Sequence, residues 1–235
     1  VLPRYGQIGT ETFGLKHAAT FTVPLSSWKE RCDILTGTLG KNVTVYFINK
    51  DIYFDRPELY RTPKGDYSDN AERFIFFSRA IPELCRVLSF KPDIIHCNDW
   101  QTGLVPLYVR TLAANAEELR GARTVFTVHN LGYQGVFWHW DMQLTGLSWD
   151  VFTPEGIEFW GKMNLLKAGL VYSDVISTVS ATYSREIQTP EYGHGLDGVL
   201  RKRSSDLYGI VNGIDYDAWN PAKDPSLPKP YSAAR

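Results

Sequence analysis

Four short apolar runs, each closing on polar residues, fix the character of this 235-residue chain from residue 93 onward. They lie at 93–98, 124–130, 174–180 and 207–213. Helical patterns near 103–114, 160–172 and 196–203 separate them. Each interval is far longer than a hairpin and long enough for a crossover helix, so the runs predict parallel strands with helices on both faces. A longer insertion, 131–158, interrupts the alternation.

The upstream part reads differently. Residues 17–23, 31–36 and 42–48 are rich in β-branched and aromatic residues, with Gly37 and Gly40 marking turns, which predicts antiparallel strands. Residues 51–68 carry aromatics among polar residues and prolines and read as an ordered loop. Asp69 and Glu72 form a capping-box pattern. Phe74, Phe77, Ile81, Leu84 and Leu88 then recur at helical spacing, with Pro82 inside the helix and Pro92 beyond it.

Composition excludes several classes. Lys plus Arg is 25 against 26 Asp plus Glu, so no basic surplus marks a nucleic-acid binder. With 43% hydrophobic and 14% aromatic residues, the chain can bury a core and is not disordered. No apolar run is long enough for a membrane helix, and no signal peptide is visible. Cys32, Cys85 and Cys97 are odd in number and without short spacing, which predicts free thiols in a reducing compartment. The chain begins without Met, and Pro221, Pro225, Pro228 and Pro230 give its end the character of a linker. The expectation is a piece of a longer protein, with 1–220 as a partial domain and 221–235 leading to another.

In an open parallel sheet, ligands bind outside the carboxyl ends of the strands. Here those ends carry Asn98-Asp99-Trp100, His129-Asn130, Ser180 and Asn212, with Tyr133 and Trp138 close in sequence. Hydroxyl, amide, imidazole and carboxylate groups beside aromatic rings suit a sugar, which offers many hydroxyls and an apolar ring face. Water alone accounts for one polar strand end more easily than for four. His96, in the body of a strand, reads as a hydrogen-bonded core histidine. Its neighbours offer no metal-ligand geometry, because His96 and Asp99 point to opposite faces of a strand. No Gly-x-Ser-x-Gly elbow and no phosphate-cradling glycine motif is present.

The runs at 96–104 (His-Cys-Asn-Asp-Trp-Gln-Thr-Gly-Leu) and 125–135 (Val-Phe-Thr-Val-His-Asn-Leu-Gly-Tyr-Gln-Gly) resemble bacterial glycogen synthases and plant starch synthases. So do those at 164–170, 178–187 and 209–215. The similarity runs in order from residue 1 to about residue 222. It implies an α/β fold with a Rossmann-like parallel sheet, the N-terminal, acceptor-side half of a two-domain GT-B glycosyltransferase. The family's Lys-x-Gly-Gly-Leu loop is expected before residue 1, and its nucleotide-sugar domain after residue 235.

The activity implied is transfer of glucose from ADP-glucose to the non-reducing end of an α-1,4-glucan such as glycogen, starch or a maltooligosaccharide, with retention. ADP-glucose is then a co-substrate and neither cofactor nor metal is needed. By the same resemblance His129 sits beside the donor glucose and Asp99 and Trp100 lie on the acceptor side, with His129 and Asp99 as the catalytic candidates. Gln101 stands where some members have histidine. Asn130 holds the turn, Asn212 faces the donor, and Tyr53 and Phe54 fall in a run where other members have tyrosine in place of Phe54. The implied compartment is the bacterial cytoplasm, or a plastid for a plant protein. The alternatives are a related glucosyltransferase using UDP-glucose and a glucan-binding module without catalysis. The isolated chain is expected to be inactive.

Overall fold

A computed structural model describes residues 1–232. Strand β1 (Leu2–Pro3) runs parallel to β4 (Val43–Asn49). The latter pairs antiparallel with β3 (Trp28–Leu39), which pairs antiparallel with β2 (Lys16–Leu25). The period-two pattern decides which face is covered: Phe21, Val23, Leu25, Cys32 and Ile34 are buried while residues between them face outward. The antiparallel expectation for this region therefore holds.

The chain next makes helix α1 (Asp51–Phe54) and a two-stranded hairpin, β5 (Arg61–Thr62) with β6 (Gly65–Asp66). Helix α2 (Asn70–Val87) follows, with Pro82 inside it. The capping box does not form. The Asp69 carboxylate instead receives both terminal nitrogens of Arg56, at 2.5 and 2.8 Å, and Glu72 accepts from the Tyr53 hydroxyl. Helix α2 buries more than one stripe, because β2 and later elements pack around it.

The four expected parallel strands are β7 (Ile94–Asn98), β8 (Arg123–Val128), β12 (Val175–Thr178) and β13 (Leu207–Gly209). They lie side by side in that order, all parallel. Helices α3 (Val105–Arg110), α5 (Leu165–Tyr172), α6 (Ala181–Glu186) and α7 (Asp197–Lys202) lie in the crossovers. The insertion carries β9 (Val136–Trp138), α4 (Met142–Thr145), β10 (Glu158–Phe159) and β11 (Lys162–Asn164).

Several local expectations shift. Helix α3 stops at Arg110, where the Thr111 hydroxyl donates back to the Leu107 carbonyl. The helix expected from 160 begins only at Leu165. Gly161 at φ +76 turns a hairpin first, and the Asn164 side chain then caps α5 by accepting from the Lys167 N–H at 2.9 Å. Helix α6 was not anticipated, although Ser180 caps it through the Tyr183 N–H at 2.9 Å. Strand β13 ends at Gly209, where the backbone passes so close to Ser180 that a Cβ would lie 2.3 Å from its carbonyl oxygen.

The antiparallel strands and the parallel strands form two separate sheets. The β1 edge and the β7 edge are separated by a slot of about 300 Å³, with Val1 and Tyr46 on one side and Ile94 and His96 on the other. His96 is consequently exposed rather than in the core, while its Nε2 lies 2.6 Å from the Thr127 hydroxyl. The three cysteines are buried and free, and burial pushes the Cys32 and Cys97 thiols up to about 12 and Cys85 up to about 11, so none is poised as a nucleophile.

Two predictions arise here. Trp160 and Gly161 both have positive φ in the β10–β11 turn, +53 and +76, a geometry that favours Asn-Gly. A tryptophan there is strained, so Trp160→Asn should raise stability by about 1 kcal/mol. A urea midpoint that fails to rise would contradict this. The second concerns Asp174. Partial burial pushes its pKa up, but the Thr124 N–H and hydroxyl and the Arg110 and Arg123 guanidiniums outweigh that and hold it below the ordinary carboxylate value. Its contribution is therefore present above the unfolded pKa near 4 and lost as pH falls through the lower folded value. The stability gap between the protein and Asp174→Asn should be widest near neutrality and close on acidification, as read from denaturation midpoints across pH.

Candidate functional site

The tips of β7 and β8 are tied together by their own residues. The Asp99 N–H donates to the Thr127 carbonyl at 2.9 Å, and the His129 N–H donates to Asp99 Oδ1 at 2.8 Å. His129 Nε2 lies 3.1 Å from Asn98 Oδ1. Asp99 reaches this position with φ +56 and ψ −177, backbone that is essentially reserved for glycine. The cost of such a conformation is about 1–3 kcal/mol, and it persists only where the surroundings over-determine it. Here the two hydrogen bonds and the Thr102 hydroxyl, which donates to the Asn98 carbonyl at 2.8 Å, do so.

Beside these tips opens a cleft of about 490 Å³. Asp99, Trp100, Gln101 and Asn130 line it from the sheet side, and Tyr133 and Phe137 from the insertion. Trp100 is 8% exposed and forms its floor, edge-on to Phe74 at 4.7 Å between centroids and tilted against Tyr60 and Phe137 at 6.0 and 5.7 Å. Gly135 has to be glycine: its φ is +60, and a Cβ would lie 2.4 Å from the Trp100 ring. The loop 131–135 is sewn onto the start of α5. Leu165 and Leu166 donate to the Gly135 and Gln134 carbonyls at 3.1 and 3.0 Å, and Asn164 donates to Gln134 Oε1 at 2.7 Å. Helix α2 reaches the same place, since the Ser78 hydroxyl donates to the Gln101 carbonyl at 3.1 Å.

The expected residues separate into two groups. Asp99, Trp100, Gln101 and Asn130 share the cleft, with His129 exposed at its rim beside Asp99. Asn130 does hold a turn, its Oδ1 accepting from the Gly132 N–H at 2.9 Å. Tyr53 and Phe54 do not join them. Both are buried, at 4% and 0% exposure, and Phe54 packs among Tyr5, Phe74, Phe76 and Phe77, so neither presents a ring face to a ligand. Asn212 is exposed on the segment after β13, outside the cleft. Lys167 is structural: its ammonium donates to the Pro154 and Glu158 carbonyls at 2.5 and 2.6 Å.

The opposite wall was missed from the sequence. Tyr60, Arg61, Asp66 and Asn70, from the β5–β6 hairpin and the start of α2, complete the cleft. The only signal was the aromatic density of 51–68, which marked order without direction. His194, at φ +47, also stands next to the Gly132 turn. Among the described residues, no group of three or more His, Cys, Asp or Glu side chains is placed to hold a metal ion, and no helix is long and apolar enough to cross a membrane.

Residues 1–202 match the model of the starch synthase catalytic domain family. A glycogen synthase of Thermodesulfovibrio yellowstonii is 52% identical over 192 residues, covering 82% of this chain and 39% of that protein. One from Koribacter versatilis is 49% identical over 214 residues, covering 91% and 44%. Among solved structures, the catalytic domain of starch synthase IV from Arabidopsis thaliana, bound to ADP and acarbose, superposes with a TM-score of 0.85 at 32% identity. That match covers 99% of this chain and 48% of the other. The chain thus spans about half the length of the relatives it matches.

Proposed function

The chain belongs to the starch synthase catalytic domain family, and from that membership we propose that it is the acceptor-side half of a retaining glucosyltransferase of the GT-B type. The full protein would transfer glucose from ADP-glucose to the non-reducing-end 4-hydroxyl of an α-1,4-glucan. The observation that carries this reading is the cleft itself: the polar groups of Asp99, Gln101 and Asn130 gathered over the Trp100 indole beside the exposed Tyr133, with the Asp99 carboxylate fixed against the His129 backbone at its edge. The acarbose and ADP of the Arabidopsis structure support a glucan-like ligand and a nucleotide at the equivalent fold.

The division of labour follows from the chemistry. Breaking the bond to the nucleotide builds positive charge on the ring carbon, so nearby anionic or dipolar groups lower the barrier. His129, at the β8 tip, would hydrogen-bond the donor glucose. Asp99 has Oδ1 engaged by the His129 N–H, and its second oxygen is available to orient the incoming hydroxyl. Trp100, Gln101 and Asn130 would hold the acceptor. The departing diphosphate needs cations and N–H donors, and our reading places these in the part of the protein outside this chain. The 235 residues alone would therefore transfer no glucose. We place the reaction in the bacterial cytoplasm, as the glycogen synthases named above come from bacteria.

The test is radiolabelled glucose incorporation into glycogen by the full-length protein, with ADP-glucose and UDP-glucose in parallel. Incorporation from ADP-glucose is expected. Preference for UDP-glucose would correct the donor, and binding of glycogen without turnover of either would replace catalysis with a binding role.

A further inference from the structure

Seven tryptophans occur in the chain, and three of them form one exposed face outside the cleft. Trp138 closes β9 and is 61% exposed, Trp140 follows at 49%, and Trp149 at 44%. Their rings stand edge to face. Trp138 and Trp140 are 6.3 Å apart at 69°, and Trp140 and Trp149 are 5.9 Å apart at 77°. Phe152 continues the string 5.4 Å beyond Trp149.

We propose that Trp138, Trp140 and Trp149 form a second carbohydrate surface, on which the part of an α-glucan polymer lying outside the cleft stacks its sugar rings. This rests on the reading of the cleft as a glucan acceptor site. Continuity supports it: Val136 and Phe137 line the cleft, and Trp138 is the next residue of the same strand. Chemistry supports it as well. Between residues 137 and 164 every large exposed hydrophobic side chain is a tryptophan, whereas the aliphatic residues Met142, Leu147 and Ile157 are buried. Sugar rings pack on flat aromatic faces with hydrogen-bonding groups around them. Gln143, Ser148 and Asp150 supply exposed amide, hydroxyl and carboxylate groups beside the rings. The charges here include Asp141 and Asp150, with no basic stripe, which disfavours a polyanion on the same rings.

The face is also held in place before any ligand arrives. Met142 and Thr145 beneath it are fully buried, and the Thr145 carbonyl accepts from the Tyr108 hydroxyl at 3.1 Å. A fixed platform loses little freedom on binding.

The experiment uses the full-length protein and its Trp140→Ala/Trp149→Ala variant. Mobility in native gels containing glycogen gives affinity, and initial rates with glycogen and with maltotriose give KM and kcat. The double variant should bind glycogen about tenfold more weakly, a loss of about 1.4 kcal/mol. Its kcat and its KM for maltotriose should not change, and Trp140→Phe should retain most of the affinity. Unchanged glycogen retardation in the folded double variant would overturn the proposal, as would an equal loss with maltotriose. Should the double variant not fold, Trp138→Ala and Trp140→Ala singly carry the same comparison. If the protein turns over no nucleotide sugar, the proposed function fails, while the gel still decides whether the tryptophans hold glycogen.

Discussion

Replacing Arg73 by leucine should lower the unfolding free energy by about 3 kcal/mol. Arg73 lies in the second turn of α2 and is fully buried. Its Nε donates to the Tyr53 carbonyl at 2.6 Å, one terminal nitrogen to Asn70 Oδ1 at 2.6 Å and the other to the Leu59 carbonyl at 3.0 Å. The guanidinium also sits 5.0 Å from the Tyr67 ring centroid and 5.2 Å from that of Phe74. One side chain thus pins the segment 53–67 to the helix. Leucine would leave three acceptors without a donor, at about 1–3 kcal/mol each. Removing a buried charge returns part of that, since burial already draws the Arg73 pKa below its usual value. Lysine should not rescue, because a single ammonium cannot span three acceptors. Denaturant unfolding of Arg73→Leu and Arg73→Lys measures both. A loss under about 1 kcal/mol would mean that the segment is held by its aromatic packing instead.

That segment is also where the sequence was least readable. Polar and aromatic residues without period two or period 3.6 give no direction to a side chain. Tyr53 and Phe54 could therefore be assigned to a ligand as easily as to the core, and the core claimed them. Arg73 itself sits among the apolar positions of α2, where composition gives no warning of a buried cation. The parallel strands were legible because burial on both faces demands continuous apolar runs, and β7, β8 and β12 follow them closely. Their pairing order could be guessed from the crossovers, but the gap between β1 and β7 could not, since it depends on which backbone edges meet.

The site was half legible for the same reason. The rule that ligands gather at strand ends found Asp99, Trp100 and the His129–Asn130 pair, which belong to β7 and β8. The same rule also named Asn212, which lies three residues beyond the end of β13 and does not line this cleft. It could not find the wall made by Tyr60, Arg61, Asp66 and Asn70, which comes from a hairpin folded over the sheet through Arg73 and the Arg56–Asp69 pair.

In the full-length protein, Asp99→Ala should lower kcat by about 100-fold or more, since misplacing reacting groups by roughly 1 Å costs about that much. The argument turns on which atoms each variant keeps. Asp99 holds the β8 tip by accepting a backbone N–H, so His129→Ala leaves that hydrogen bond intact and removes only the imidazole. Asp99→Ala removes the acceptor and leaves the His129 N–H unheld, with the tips joined only by the Asp99 N–H to the Thr127 carbonyl and by the contact of His129 with Asn98. Asp99→Asn keeps an acceptor oxygen but not the charge, and should lose only about tenfold, the part owed to the second carboxylate oxygen. Asp99→Gly separates stability from activity. It releases a backbone held at φ +56 and ψ −177, offsetting the lost hydrogen bond, so its melting temperature should match or exceed that of Asp99→Ala while its turnover is equally low. His129→Ala should depress kcat with little change in KM for glycogen, as befits a group beside the donor sugar. If Asp99→Asn falls as far as Asp99→Ala, the charge rather than the tie between strand tips is what the reaction uses. If Asp99→Ala keeps full turnover, the catalytic centre does not lie at this rim.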